Sequence, residues 1–178
     1  MTTIGVIIGS LRADSINRGL FNALRPLAEE AGLTLEEIAI KELPLFNQDL
    51  EEDFPAAATA FKEQIEKADG LIVITPEYNR SFPGVLKNAL DWGSRPWGKN
   101  SFTGKKTAII GMGSMGAPLA QRHLRDVLSF LNTQTLNQPE AYVRMAPDYF
   151  AADGSIAAEA DRTFLAQWLG AFKAMLDA

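Results

Sequence analysis

The 178-residue chain contains no cysteine and a single histidine, His123. Without cysteine there is no disulfide bond, thiol nucleophile or cysteine-ligated metal, and one histidine excludes a histidine-rich metal cluster. No segment approaches the ~20 apolar residues that cross a bilayer, and the N-terminus lacks the basic segment of a signal peptide. The net charge of −5 argues against nucleic acid as the main partner. We therefore expect a soluble cytoplasmic protein that acts on small molecules, with no metal, membrane or nucleic-acid partner.

The length fits one domain over residues 1–178, and no linker or internal repeat interrupts it. Short apolar runs alternate with helical patterns, which predicts five strands and five helices. The predicted strands are Ile4–Ile8, Leu33–Ile40, Leu71–Thr75, Thr107–Ile110 and a fifth within residues 133–143, interrupted near Pro139. This alternation predicts an α/β fold, a doubly wound parallel sheet with helices on both faces. Pro26 is expected to kink or shorten the first helix.

Polar or glycine-rich loops follow three of these strands, after residues 8, 75 and 110. Parallel strands all end at the same edge of a sheet, so we expect the three loops to meet there. Doubly wound folds bind their ligands at this edge, where the strand order reverses. The sequence therefore predicts one ligand site built from three loops.

The first loop leads into a helix whose N-terminus would attract an anion. Ser10, Ser15 and Asn17 offer polar side chains and Arg12 offers a positive charge, so the loop predicts a phosphate site. An ordinary helix with Asp14 or Ser15 as its N-cap explains the same residues equally well.

The second loop begins at Pro76 and ends at Pro83, the expected first helical residue. It can present successive backbone N–H groups and the aromatic face of Tyr78 to a planar heterocycle. The alternative is a plain strand-to-helix turn, in which Glu77 and Asn79 satisfy the next helix.

The third loop, Gly111-x-Gly113-x-x-Gly116, matches the letters of a dinucleotide fingerprint. That fingerprint belongs to the first strand of its unit and needs an acidic residue about 20 residues later. Here it follows the fourth strand, and residues 132–139 contain no Asp or Glu. We interpret it as a glycine loop whose N–H groups approach a ligand edge, at a positive helix end able to stabilise an anionic ring.

Four other residues each allow a structural or a functional interpretation. His123 lies within the predicted helix Ala117–Leu131, and we expect a partly buried, hydrogen-bonded residue rather than a catalytic one. Trp92, Trp97 and Phe102 flank a basic, aromatic loop. They either line a substrate or subunit contact or cover the edge of the sheet.

Four blocks of sequence resemble the NADPH-dependent FMN reductase family, in particular its chromate and quinone reductase branch. The resemblance spans nearly the whole chain. Its residues are Gly9-Ser10-Leu11-Arg12 with Ser15, Asn17 and Arg18, then Leu43–Asn47, Pro76–Trp92 and Ala120–Arg125. It implies a flavodoxin-like fold with five parallel strands in the order 2-1-3-4-5.

The resemblance also implies an activity and its cofactors. Such an enzyme contains FMN and passes two electrons from NADH or NADPH to quinones, free flavin or small acceptors such as chromate. No side chain is implied as catalytic, because the flavin N5 takes the hydride. Members of the family are homodimers or homotetramers with the flavin near the interface. The alternative is a flavodoxin-like electron carrier that binds FMN without oxidising NAD(P)H.

In the family the first loop holds the FMN phosphate, the second contacts the isoalloxazine and ribityl groups, and the third touches the pyrimidine edge. The implied cofactor residues are Gly9, Ser10, Arg12, Ser15, Ile16, Asn17, Pro76, Glu77, Tyr78, Asn79, Ser81, Gly113, Ser114, Met115 and Gly116. The chain departs from the family at Ala117-Pro118-Leu119, where a glycine and an arginine are usual, and at Arg122, where an aromatic residue is usual. These departures bear on tetramer contacts and on selectivity for the nicotinamide.

Overall fold

Six parallel strands form one sheet in the computed structural model, which describes residues 1–178. They are β1 (Thr2–Ile8), β2 (Leu33–Glu37), β3 (Gly70–Ile74), β4 (Lys106–Gly113), β5 (Gln134–Thr135) and β6 (Ala141–Arg144). The order is β2-β1-β3-β4-β5, and β6 also pairs with β4. This confirms the predicted flavodoxin-like order, in which the chain reverses direction across the sheet between β1 and β3.

Helices cover both faces of the sheet, as predicted. They are α1 (Ile16–Glu30), α2 (Ala56–Lys67), α3 (Gly84–Ser94), α4 (Pro118–Phe130) and α5 (Glu159–Asp177). Side chains alternate between the faces: Val6 and Ile8 pack in one core cluster with α1 and α5, whereas Ile7 packs in the other with α2, α3 and α4. Both faces are therefore dry, which is why the central strands are continuous apolar runs. None of the helices is long and apolar enough to span a bilayer.

Pro26 does not shorten α1, which is helical to Glu30. A proline inside a helix leaves the carbonyl four residues earlier without its partner. That residue, Asn22, is exposed, so water can bond the freed carbonyl. The proline is tolerated because it lies on the solvent side of the helix.

The fourth strand, β4, is longer than predicted and continues to Gly113, into the predicted glycine loop, whereas the second strand is shorter. The second ends at Glu37, because the exposed pair Glu36-Glu37 shifts the phase and Ile38 joins the opposite core cluster. The predicted interruption near Pro139 divides the fifth strand into β5 and β6, which pair separately with β4. Pro83 is the N-cap of α3 rather than its first residue.

The aromatic residues beside the loop after α3 have different environments. Trp92 and Phe102 are fully buried, and the Trp92 Nε1 donates to the Pro44 carbonyl at 2.7 Å, which fixes the segment Leu43–Asn47 on α3. Trp97 is 79% exposed. The first two therefore belong to the core, and only Trp97 is free to contact another molecule.

Candidate functional site

A cleft of about 650 Å³ lies at the carboxyl edge of the sheet, beside the reversal between β1 and β3. The loops after β1, β3 and β4 meet there as predicted, and the volume is typical of a small-molecule site. The residues that line it are Ser10, Arg12, Ser15, Ile16, Asn17, Pro76, Glu77, Tyr78, Asn79, Arg80, Met112, Gly113, Ser114, Met115 and Ala117.

The N-terminus of α1 contributes to this cleft. No protein atom accepts a hydrogen bond from the N–H groups of residues 13–17. Ser15 is the N-cap, and its Oγ accepts from the Arg18 N–H at 3.4 Å, which leaves its own hydroxyl proton free. Arg12 is exposed and takes part in none of the salt bridges. Free donors, the positive helix end and an unpaired guanidinium together suit a multivalent anion such as a phosphate.

The second arginine of this region is already engaged. The Arg18 guanidinium binds both carboxylate oxygens of Glu37 at 2.6 and 2.7 Å, and this bond raises the pKa of Arg18. The pair ties α1 to the end of β2. Arg12 is therefore the only free cation at this end of the cleft.

Asn17 is 1% exposed and clamps α1 to β4. Its Oδ1 accepts from the Met112 N–H at 3.0 Å, and its Nδ2 donates to the Met112 carbonyl at 3.1 Å. One of the two Nδ2 hydrogens is left. The side chain thus positions the β4 loop and retains a single donor for a ligand.

The second loop is a two-residue hairpin turn. Tyr78 N–H donates to the Ser81 carbonyl at 2.8 Å, and Ser81 N–H returns a bond to the Tyr78 carbonyl at 3.1 Å. Asn79 and Arg80, between them, have φ values of 51° and 67°, the signs of a type I′ turn. Their N–H groups make no protein hydrogen bond, and both residues line the cleft. The turn therefore offers two fixed donors to a ligand.

Ser81, also predicted as a cofactor residue, does not itself line the cleft. Its N–H donates to the Tyr78 carbonyl, and its Oγ lies 3.1 Å from the Nδ1 of His123. The prediction of a partly buried His123 is wrong, since the residue is exposed on α4. The predicted hydrogen bond is present, and it anchors the hairpin to α4.

The start of α4 is closed by a carboxylate from another loop. Ala117 adopts the left-handed conformation and Pro118 has no N–H. The next two N–H groups, of Leu119 and Ala120, both donate to Glu77 Oε2, at 2.9 and 3.2 Å. The positive helix end is therefore neutralised from within. The expectation that this end stabilises an anionic ring is wrong, and so is the alternative that Glu77 satisfies α3.

Two predicted glycines serve packing rather than the cleft. Neither Gly9 nor Gly116 lines it. A Cβ on Gly9 would lie 3.1 Å from Leu86 Cδ2, and one on Gly116, where φ is 78°, would lie 2.6 Å from the backbone carbon of Tyr142. Gly113 does line the cleft, and a Cβ there would meet no atom within 4 Å. Of the three, only Gly113 faces space that a ligand can fill.

A model of the family described as NADPH-dependent FMN reductase matches residues 2–148 of this chain. The chain belongs to this family. It is 47% identical over 173 residues to a 2-hydroxy-1,4-benzoquinone reductase from Burkholderia sp., covering 96% of this chain and 94% of that protein. An NAD(P)H-dependent FMN reductase from Pseudomonas aeruginosa is 41% identical, with coverage of 94% and 91%.

A solved structure has the same fold. The structure of FerB, a flavoenzyme NAD(P)H:(acceptor) oxidoreductase from Paracoccus denitrificans, superimposes with a TM-score of 0.94 at 42% identity. The match covers 99% of this chain and 98% of FerB. The FMN reductase family model and the names of these three enzymes agree with the resemblance found in the four sequence blocks.

Three residues of this FMN reductase family member line the cleft without having been predicted: Arg80, Met112 and Ala117. Arg80 lies between two predicted residues, but its letter alone does not show a left-handed backbone. Met112 lines the cleft next to Asn17, which binds its backbone. No local pattern in the sequence could have indicated that contact, which joins residues 95 positions apart.

Proposed function

We propose that this protein is an NAD(P)H-dependent FMN oxidoreductase that passes two electrons to quinones. The observation that carries the proposal is the open N-terminus of α1, with its free N–H groups and unpaired Arg12, in a cleft it shares with two further donor loops. When bound, FMN would accept a hydride from NAD(P)H at N5 and deliver two electrons to the acceptor. The names of the relatives described above support the same activity.

The residues present fit FMN at the phosphate end of the cleft. Arg12 would supply a charge-assisted bond, and the hydroxyls of Ser10 and Ser15 would donate alongside the N–H groups of residues 13–17. The remaining Nδ2 hydrogen of Asn17 would donate to the phosphate as well. These groups offer a phosphate its positive charge and its donors. Glu77 is the one carboxylate among the residues that line the cleft, and it is held by α4.

The other end of the cleft fits a flat ring with carbonyl and nitrogen acceptors. The N–H groups of Asn79 and Arg80 are free, and so are those of Ser114 and Met115. Tyr78, which is 52% exposed, presents an aromatic ring. The open side of Gly113 leaves room for a close approach. Backbone donors in fixed loops can stabilise charge on such a ring without moving, which is the contribution that a side-chain acid or base would otherwise make.

The proposal extends to assembly, location and acceptors. Trp97 and Phe130, each 79% exposed beside a groove of about 430 Å³, support assembly as a homodimer or homotetramer. The flavin near the interface is part of the same proposal. Sedimentation of the FMN-loaded protein checks this, and a monomer would contradict it. We place the enzyme in the cytoplasm, where NAD(P)H is regenerated, and include free flavin and chromate among the acceptors to be assayed.

An anaerobic visible spectrum of the FMN-loaded protein tests the activity. We expect NADPH or NADH to bleach the bound flavin and a quinone to restore its absorbance. Bound flavin that neither nucleotide can bleach would instead identify an electron carrier. Absence of flavin binding would contradict the assignment of the cleft.

A further inference from the structure

Arg80 holds a backbone conformation that its side chain does not favour. It occupies the second position of the type I′ turn between Tyr78 and Ser81, with φ at 67°. Glycine adopts that conformation freely and is the usual residue there, whereas a residue with a Cβ is strained. Such strain clusters at functional sites, where the side chain contributes something that compensates for it. We therefore expect the guanidinium of Arg80 to have a function that offsets this strain.

That guanidinium has no partner within the protein. Arg80 is exposed, lines the cleft and forms none of the salt bridges or side-chain hydrogen bonds. The carboxylate of Glu77, which also lines the cleft, is bonded to the start of α4. A chain of net charge −5 thus carries two unpaired arginines in one cleft, Arg12 and Arg80, on different loops.

The proposed function accounts for one of these charges. A single FMN carries one phosphate, which Arg12 and the start of α1 would bind. Arg80, on the hairpin after β3, is left for a second anion. The hairpin is fixed by two backbone hydrogen bonds and by the contact between Ser81 and His123. The backbone of Arg80 is therefore held in place, while its side chain is free to contact a ligand.

We propose that Arg80 binds a phosphate group of the nicotinamide dinucleotide and thereby sets the affinity for the electron donor. The inference rests on the proposed function. A guanidinium matches phosphate oxygens in a bidentate geometry, which a neutral quinone does not offer. The phosphate is either the diphosphate, common to both nucleotides, or the 2′-phosphate, present only in NADPH.

The test compares wild type with Arg80→Gly, which removes the guanidinium and also relieves the backbone strain, so that loss of folding is not expected. The donors are NADPH, NADH and 1-benzyl-1,4-dihydronicotinamide, which has no phosphate; the acceptor is neutral 1,4-benzoquinone. We expect KM for NADPH to rise about tenfold, as for loss of one exposed charge-assisted bond. A rise for NADPH alone assigns the 2′-phosphate, and an equal rise for NADH assigns the diphosphate.

Direct binding gives a second readout that does not depend on turnover. The FMN-loaded protein is titrated with adenosine 2′,5′-bisphosphate and with ADP. Arg80→Gly should weaken binding of the bisphosphate alone if Arg80 contacts the 2′-phosphate, and of ADP as well if it contacts the diphosphate. The difference from wild type should shrink at high salt. Arg80→Gly keeps the backbone N–H that is offered to the flavin ring, so the FMN dissociation constant and the KM for the benzyl donor should not change. Arg25→Ala, which removes one charge from the outer surface of α1, is the matched control and should behave as wild type.

The inference fails if KM for NADPH is unchanged in Arg80→Gly, or if the benzyl donor or the quinone is affected as strongly as NADPH. It also fails if Arg25→Ala shows the same effect. Failure of the proposed function has a different signature, since wild type itself would then oxidise none of the three donors.

Discussion

Two helices begin at the same edge of the sheet, and their first turns are arranged in opposite ways. The first turn of α1 is open: Ser15 caps it, the N–H groups of residues 13–17 are free, and Arg12 stands beside it unpaired. The first turn of α4 is closed: Pro118 has no N–H, and the next two N–H groups are taken by Glu77. The start of α1 can therefore attract an anionic ligand, whereas the start of α4 is already occupied by the Glu77 carboxylate.

The difference shows that a helix dipole alone does not make an anion site. The two helix ends carry similar partial charges, but the charge is available to a ligand only where the protein leaves it unsatisfied. The two ends of FMN have correspondingly different needs, because its phosphate is charged and its oxidised ring is neutral. The comparison therefore orients the proposed cofactor, with the phosphate at α1 and the ring towards α4.

The largest expected effect comes from disturbing the closed end. Gly116→Ala would add a Cβ 2.6 Å from the Tyr142 backbone at a residue whose φ is 78°. We expect the free energy of unfolding to fall by about 2–4 kcal/mol, from the left-handed conformation and the overlap combined. Urea unfolding of the cofactor-free protein measures it. Gly113→Ala is the matched control, since its Cβ meets no atom within 4 Å, and an equal loss there would refute this explanation.

Removing the free charge at the open end should weaken the cofactor rather than the fold. Arg12→Ala is expected to reduce FMN affinity by about 1.5–3 kcal/mol, the value of a charge-assisted hydrogen bond. Flavin fluorescence titration measures the dissociation constant. Arg18→Ala removes the same charge from a residue bound to Glu37 and should leave FMN affinity nearly unchanged. Equal losses in the two variants would contradict the assignment of Arg12.

Opening the closed end tests the role of Glu77. Glu77→Ala leaves the N–H groups of Leu119 and Ala120 without an acceptor and removes a negative charge from a helix N-terminus. We expect it to lower the free energy of unfolding of the cofactor-free protein by about 1–2 kcal/mol. Glu77→Gln keeps an acceptor oxygen and should lose less. If both variants melt at the wild-type temperature, the capping interaction contributes nothing to stability.

The smallest expected effect is on the pH dependence of stability, through Tyr149. Tyr149 packs in the core cluster with Leu20 and Leu24 of α1, and burial, assisted by the negative charge of Asp161, raises its pKa to about 12. The unfolded pKa is about 10, so the folded state gains stability below that pH and loses it as pH rises from about 10 to 12. Urea unfolding at about pH 9 and pH 11 should show a smaller loss in Tyr149→Phe than in wild type. Equal losses would show that other groups control this range.

Local patterns in the sequence predicted most of the architecture. Buried parallel strands need continuous apolar runs, and helices need a periodic stripe, so the doubly wound parallel sheet and the convergence of three loops followed from residues near one another in the chain. The strand order itself came from the family resemblance. Two features of the cleft were missed for a common reason, because each depends on a distant contact. Glu77 closes a helix that starts 41 residues later, and Asn17 binds the backbone of Met112.

The site shows the same division between local and distant information. Ser10, Arg12 and Tyr78 reach the cleft as predicted, since their loops alone place them there. Gly9 and Gly116 match the expected pattern but make room for Leu86 and for the backbone of Tyr142, which the sequence does not place beside them. A glycine in the sequence indicates that another group packs close to the backbone, but only the folded structure identifies that group.

The comparison of FMN with riboflavin, which lacks the phosphate, tests the proposed orientation most directly. Dissociation constants of both ligands are measured for wild type, Arg12→Ala and Glu77→Gln. We predict that Arg12→Ala weakens FMN binding roughly 10- to 150-fold and leaves riboflavin binding unchanged, while Glu77→Gln does not alter the ratio between the two dissociation constants. If Arg12→Ala weakens both ligands by the same factor, the phosphate does not lie at the start of α1.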